Sequence, residues 1–217
     1  MVPDLLDTMI GAAVSAIRDN ADALTALDQA IGDGDHGINM KRGFTAIESE
    51  REAVAAVALP QALQKIGMIL VMKVGGAAGP LYGSYFMAVG KALPLGPVTA
   101  AGVAEALTAG ALAVQQRGKS APGEKTMLDV LVPVADAMRA VAQANISTTE
   151  LLNAVCVAAE NGLESTRDML ATKGRASYLG ERSIGHLDPG AQSSRILVEC
   201  ICEVVAAALA TAKTEDV

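Results

Sequence analysis

Apolar residues recur three and four positions apart along most of the chain. Leu5, Leu6, Met9, Ile10, Ala13, Val14 and Ile17 form one such stripe, with Asp7, Arg18 and Asp19 on the opposite face. The same spacing predicts helices over 3–18, 22–30, 40–56, 60–74, 80–92, 99–116, 126–144, 148–171 and 192–212. Pro60 and Pro80 stand near helix starts, where a missing N–H is harmless, and Thr99 and Thr148 are candidate caps. Pro133 falls inside a predicted helix and should bend it, because it removes a backbone donor and clashes with the preceding turn. No segment alternates apolar and polar residues as a strand would, so the pattern predicts an all-α fold.

Composition strengthens this picture. The 217 residues are 51% hydrophobic but only 2% aromatic, with no Trp, which suits close helix packing better than a sheet. The length is read as one domain spanning 1–217. A formal charge of −7 disfavours a nucleic-acid backbone or an anionic membrane surface as partner. Ile66 to Met72, between Lys65 and Lys73, falls far short of the roughly 20 apolar residues of a membrane span. The start MVPDLLDTMI lacks the basic segment of a secretory signal. Cys156, Cys200 and Cys202 have no zinc-like spacing and read as reduced core residues. A soluble, cytoplasmic protein is expected.

The connections carry the candidate chemistry. Segments 31–39, 75–79, 117–125 and 173–191 are rich in Gly, charge and hydroxyls, and long ordered loops often hold function. Gly32-Asp33-Gly34-Asp35-His36-Gly37 has the G-x-G-x-x-G spacing of a dinucleotide-binding turn. However, LTALDQA before it reads as a helix, where that motif needs a strand. Gly123-Glu124-Lys125-Thr126 fails as a P-loop because Glu124 intervenes and no upstream glycine has the required spacing. An EF-hand fails because Gly37 replaces a ligand and Phe44 stands where a bidentate Glu belongs.

What remains is Asp28, Asp33 and Asp35 within eight residues, with no basic residue between Asp19 and Met40. Carboxylates about 4 Å apart repel by roughly 1 kcal/mol in water and about 4 kcal/mol at an effective dielectric near 20. If the three converge, a bound cation is the economical counter-charge, and oxygen-only ligands favour Mg²⁺ or Ca²⁺. Mg²⁺ completes its shell with water and phosphate oxygens, which would convert a repulsive loop into a phosphate site. The alternative is a solvated helix exit with turn-forming glycines.

Other loops also read two ways. VGGAAGP at 74–80 offers either anion-binding donors at a helix start or small residues for close packing. QRGKSAPGEKTM could bring Lys125 and Thr126 to an anion or be a solvated basic turn. In the 173–191 loop, Lys173, Arg175, Arg182, His186 and Asp188 surround glycines, and Asp188-Pro189-Gly190 should be a rigid turn. Arg175 could fork onto phosphate or stack on a base, unless internal ion pairs simply pin the loop. His36 and His186 both lie beside glycines, which favours a shared site; a surface role for His36 is the plainer reading.

Taken together, LDQAIGDGDHGINMKRGF, GGAAGPLYGSYF, PGEKTMLDVLVP and ATKGRASYLGERSIGHLDPGAQSS resemble the ADP-binding L subunits of dihydroxyacetone kinases, from about residue 20 onward. The length resembles the freestanding subunit. The resemblance implies an antiparallel barrel of about eight helices with nucleotide bound by loops at one end, so that one of the nine predicted helices is split or overextended. It implies that Asp28, Asp33 and Asp35 bind two Mg²⁺ ions bridging the nucleotide phosphates. His36, Gly37, Ile38, Asn39, Ala77, Ala78, Gly123, Met127, Arg175, Asp188, Pro189 and Gly190 would contact ADP or ATP. No side chain is assigned a catalytic role.

In that family a separate K subunit holds dihydroxyacetone on its own histidine. In the phosphotransferase-system branch, which the resemblance favours, bound ADP is a coenzyme rephosphorylated by a phosphohistidine M subunit. An ATP-dependent ketose or tetrose kinase, a nucleotide-sensing module contacting a transcriptional regulator, and a metal-dependent phosphohydrolase are the alternatives. Many relatives carry Ser where this chain has Ala78; losing one neutral hydrogen bond removes about 0.5–1.5 kcal/mol, which weakens nucleotide retention without abolishing the site.

Overall fold

The structure, a computed structural model, describes residues 3–144 and 146–215. The described residues are helical, without a strand: α1 (Pro3–Asp19), α2 (Ala21–Ile31), α3 (His36–Ser49), α4 (Arg51–Ala55), α5 (Leu59–Lys73), α6 (Ala78–Ala92), α7 (Ala100–Gly118), α8 (Leu128–Ala144), α9 (Thr148–Ser165) and α10 (Pro189–Glu215). Two 3₁₀ segments, Thr166–Asp168 and Arg175–Ser183, lie between α9 and α10. The all-α expectation holds.

Packing follows the stripes. On α1, Leu6, Ile10, Val14 and Ile17 are buried against α3 and α10. Neighbour contacts run α1, α3, α5, α6, α7, α8, α9, α10 and back to α1, so eight helices complete a circuit, with α2 and α4 packed onto it. One apolar cluster lies among α1, α3, α5 and α6; a second joins α8, α9 and α10 through Val134, Val155, Leu163 and Ala191. Helices α5 and α6 approach closely where Gly67 faces Gly83. A Cβ on either would stand 2.7–2.8 Å from the other's carbonyl oxygen, so neither position tolerates a side chain. No helix of the described residues is long and apolar enough to cross a membrane.

Helix ends depart from the periodicity in informative ways. The stretch predicted as one helix over 40–56 is two: it begins at His36 and breaks at Glu50, beyond which Arg51 donates to both carboxylate oxygens of Asp7 on α1 at 2.7 Å. The helix predicted to reach 171 stops at Ser165, where Thr166 begins a 3₁₀ turn. The last helix begins three residues earlier than 192. Thr99 caps α7 by accepting the Gly102 N–H at 3.1 Å, but the cap of α9 is Ser147, not Thr148. Ser147 and Glu150 form a reciprocal capping box that periodicity cannot see. Pro133 does lie inside α8.

Candidate functional site

The loops joining α2 to α3, α5 to α6, α7 to α8 and α9 to α10 meet at one end of the molecule around a cavity of about 750 Å³. That volume falls in the range of small-molecule sites. Its walls include Asp28, Asp33, Asp35 and His36 from the first loop, Gly75 to Ala78 from the second, Thr126 and Met127 from the third, and Arg175 and Asp188 to Gly190 from the fourth.

The three aspartates converge: each offers an oxygen, and these oxygens lie within 4.8 Å of one another. Their arrangement depends on an exchange of roles. Asp35 occupies the N-cap position of α3, where an aspartate usually turns back onto the first-turn N–H groups, yet it makes no such bond. Asp28, buried at the last turn of α2, does this work instead, its Oδ2 accepting the N–H groups of Asp35 at 2.8 Å and His36 at 3.0 Å. The Asp35 carboxylate is thereby left for the cavity. Gly76, with φ +63°, lets the next loop pass close by: a Cβ there would stand 3.7 Å from both Asp35 oxygens.

Although no basic residue is near in sequence, the fold brings Arg175 across to Asp33, Nη2 to Oδ2 3.1 Å. The guanidinium is 70% exposed, so the pair is screened and weak, and one cation does not balance three carboxylates. An oxygen-only set beside an open cavity fits Mg²⁺, which commonly takes one or two carboxylates and leaves positions for phosphate and water.

The same cavity is also built for anions. Helices α3 and α6 begin at its wall, with His36 and Ala78 as their first residues, and first-turn N–H groups have no acceptor within a helix; α10 begins there too, but Pro189 has no N–H and Asp188 already accepts from Ala191. Each helix start carries roughly half a positive charge, favouring an anion by about 0.3–1 kcal/mol. Cation ligands and anion donors thus share one space, as a metal-bridged polyphosphate requires.

Eleven of the expected residues line this cavity: Asp28, Asp33, Asp35, His36, Ala77, Ala78, Met127, Arg175, Asp188, Pro189 and Gly190. Four do not. Gly37 is buried against α2, where a Cβ would collide with the Ala21 carbonyl; Ile38 is exposed; Asn39 is buried and accepts from Arg42 at 2.5 Å; Gly123 donates its N–H to Asp129 Oδ1 at 2.5 Å. Asp188-Pro189-Gly190 is the start of α10 rather than a free turn: Asp188 Oδ2 accepts the Ala191 N–H at 2.7 Å, and Pro189 takes the first helical position. The two histidines separate, since His36 lines the cavity whereas His186 is exposed and only its carbonyl is engaged, by Lys125.

Lys125 is not a free anion ligand. It is 1% exposed, adopts φ +59°, and its ammonium donates to the carbonyls of Thr166 and His186. In the VGGAAGP loop Gly75 and Gly76 line the cavity, whereas Gly79 packs against the Val74 carbonyl. The 173–191 loop is likewise both a wall of the cavity and pinned by ion pairs, Arg175 to Asp33 and Lys173 to Glu124. Periodicity hid Leu81, Tyr82 and Val114, which also line the cavity but read as ordinary core positions. His36 is held below the usual imidazole range by burial, although the charges of Asp28 and Asp35 oppose this.

Burial pushes the Asp188 carboxyl up to about 7; the Asp129 charge adds to this, while the N–H groups of Ala191 and Gly190 and the Lys125 ammonium oppose it. The folded protein therefore holds a proton that the unfolded chain releases near its ordinary value of 3.8. Stability from this group is greatest below about pH 4, falls as pH rises towards about 7, and is flat above that. Asp188→Asn should make the metal-free protein less pH-sensitive over this window. Urea unfolding at pH 5 and pH 8 checks it; parallel profiles for the two proteins would reject the assignment.

Residues 30–203 match the DAK2 domain family. The ADP-binding subunit DhaL of PEP-dependent dihydroxyacetone kinase 1 from Listeria innocua is 45% identical over 187 residues, covering 86% of this chain and 89% of that protein. The corresponding Escherichia coli subunit is 44% identical over 179 residues, covering 82% and 85%. Among solved structures, the dihydroxyacetone kinase of C. freundii superposes with a TM-score of 0.72 at 27% identity; the match covers 92% of this chain and 34% of that one. The same kinase in complex with AMP-PNP and Mg²⁺ gives 0.71 at 28% identity, with the same coverage.

Proposed function

Because the chain belongs to the DAK2 domain family, we propose that it is the ADP-binding, phosphoryl-transferring subunit of a dihydroxyacetone kinase, with 1–217 acting as one nucleotide-binding domain. The observation that carries this reading is the coincidence, in one cavity, of three convergent carboxylates and the starts of α3 and α6. The former suit a divalent cation and the latter a polyphosphate.

On this reading Asp28, Asp33 and Asp35 hold two Mg²⁺ ions, which when bound supply charge neutralisation at the β- and γ-phosphates. The backbone at the starts of α3 and α6 orients the phosphate oxygens. Arg175, exposed at the cavity wall beside Asp33, would be available to pair with phosphate. Leu81, Val114 and Met127 give the cavity an apolar wall for the rest of the nucleotide. The chain then works by positioning and electrostatics, and the dihydroxyacetone that accepts the phosphoryl group is held by a separate K subunit.

The donor proposed is a phosphohistidine M subunit that rephosphorylates bound ADP, because the PEP-dependent subunits share 44–45% identity with this chain over most of their length. Triokinase/FMN cyclase of Rattus norvegicus is 37% identical over 183 residues, and the match spans only 32% of that protein. It supports an ATP-dependent ketose kinase as the second reading. Reconstitution with a K subunit and dihydroxyacetone, supplied in turn with phosphorylated M subunit and with ATP, tests both. Product with the M subunit alone supports the first reading and product with ATP the second; none with either, under conditions where the partners are active, rejects the kinase reading. Native mass spectrometry of gently purified protein should show retained ADP.

A further inference from the structure

A hydrogen-bonded group of buried hydroxyls backs the cavity wall without being part of its lining of carboxylates and helix starts. Ser193 and Ser194 on α10 are 0% and 1% exposed, and Tyr82 on α6 is 1% exposed. Ser193 Oγ lies 2.9 Å from His36 Nε2 and 2.7 Å from the Tyr82 hydroxyl, which is itself 2.9 Å from Ser194 Oγ. Three helices, α3, α6 and α10, are joined here through side chains.

Counting protons orders the group. Ser193 Oγ has one proton, and its neighbours are His36 Nε2, the Tyr82 hydroxyl and the carbonyls of Pro189 and Gly190, both at 3.1 Å. Those carbonyls already have helical N–H donors one turn on, and Gly190 also receives Ser194 Oγ at 2.8 Å. Nε2 is nearer than either carbonyl. The Tyr82 hydroxyl, pushed up to about 12 by burial, keeps its proton and can give it to Ser193 over the shortest contact in the group. The Tyr82 proton also has the Gly190 carbonyl at 3.2 Å and Ser194 Oγ within reach, but the shortest contacts favour donation from Tyr82 to Ser193 to His36 Nε2, each bond polarising the next.

We propose that Ser193 and Tyr82 are positioning residues for His36: they hold the imidazole against α10 with its proton on Nδ1, leaving Nδ1–H as the ring's only donor for an anion in the cavity. This rests on the nucleotide reading for the identity of that anion but not for the tautomer. The arrangement parallels the way outer partners set the tautomer of metal-ligating histidines elsewhere, where their loss typically costs about 10–100-fold in metal affinity or activity.

The test uses the full chain with MgADP as probe, and the variants Ser193→Ala, Ser193→Thr and Tyr82→Phe. His36 and the exposed His186 are the only histidines, so long-range ¹H–¹⁵N spectra of the imidazoles are readily assigned. The expected results are a proton on His36 Nδ1 in the parent, its redistribution between the nitrogens in Ser193→Ala, and about tenfold weaker MgADP binding in that variant. Ser193→Thr, which keeps the hydroxyl, should restore both. Tyr82→Phe should fall between the parent and Ser193→Ala in affinity. A parent His36 protonated on Nε2, or MgADP affinity unchanged in a Ser193→Ala protein whose thermal unfolding matches the parent, overturns the proposal. Failure of the parent itself to bind MgADP would instead strike the nucleotide reading, with the spectra still judging the tautomer.

Discussion

Asp28→Asn is expected to weaken Mg²⁺-dependent nucleotide binding by about 100-fold or more, since even outer partners of a metal site typically account for 10–100-fold. Asp28 has two tasks, as a member of the carboxylate cluster and as the acceptor for the Asp35 and His36 N–H groups. The amide keeps an acceptor for those N–H groups but gives up the charge, so the loop should keep its shape. Without metal, removing one of three mutually repelling charges offsets the weaker hydrogen bonds, and stability should change by less than about 1 kcal/mol. Asp33→Asn should likewise impair nucleotide retention more than stability, and more selectively, because Asp33 is exposed and its pairing partner, Arg175, is exposed too. Calorimetric titration with MgADP, alongside thermal unfolding in chelator, separates the two effects. Unchanged retention in Asp33→Asn would remove it from the ligand set.

Lys125→Met is expected to give the largest loss of stability, roughly 2–4 kcal/mol, because it strips the charged donor from two backbone carbonyls, and a buried group left unsatisfied costs about 1–3 kcal/mol. Its ammonium gathers carbonyls from Thr166 and His186, on two sides of the long connection between α9 and α10, and the Arg167 carbonyl lies at 3.5 Å. Thr166 Oγ1 also accepts the Asp188 N–H at 3.0 Å, so the same cluster sets the start of α10. Methionine fills the volume and leaves those carbonyls without a donor. Against a total of about 5–15 kcal/mol for a domain, that loss is severe. Urea unfolding with an unchanged slope should show it; a loss below about 1 kcal/mol would mean that water replaces the ammonium.

The division between what was legible in the chain and what was not follows sequence distance. Helix stripes such as Leu6, Ile10, Val14 and Ile17 are local and were readable, as was the density of Asp28, Asp33 and Asp35. The start of α3 was misplaced because its first turn, His36-Gly37-Ile38-Asn39, has little apolar periodicity and is capped by an aspartate seven to eight residues back. Lys125 beside Gly123 and Thr126 suggested an anion site, yet its partners lie some 40 to 60 residues away. Arg175 at Asp33 and Ser193 at His36 are longer-range still, and no pattern within a helical turn announces them.

That long range has a consequence for biogenesis. His36 and Ser193 are separated by 157 positions, and the cavity wall takes residues from both sides of that gap. During synthesis the aspartates emerge before the turn that faces them and before the helix that closes the circuit onto α1. Contacts of such separation form late and slowly. A ligand that binds only the closed form stabilises it by about 2.7 kcal/mol at a hundredfold excess over its Kd. A chain cut before α10 would keep most of its helices and all three carboxylates but lose the Pro189 and Gly190 part of the wall, so on the nucleotide reading retention of the ligand after limited proteolysis reads out whether α10 has packed onto α1.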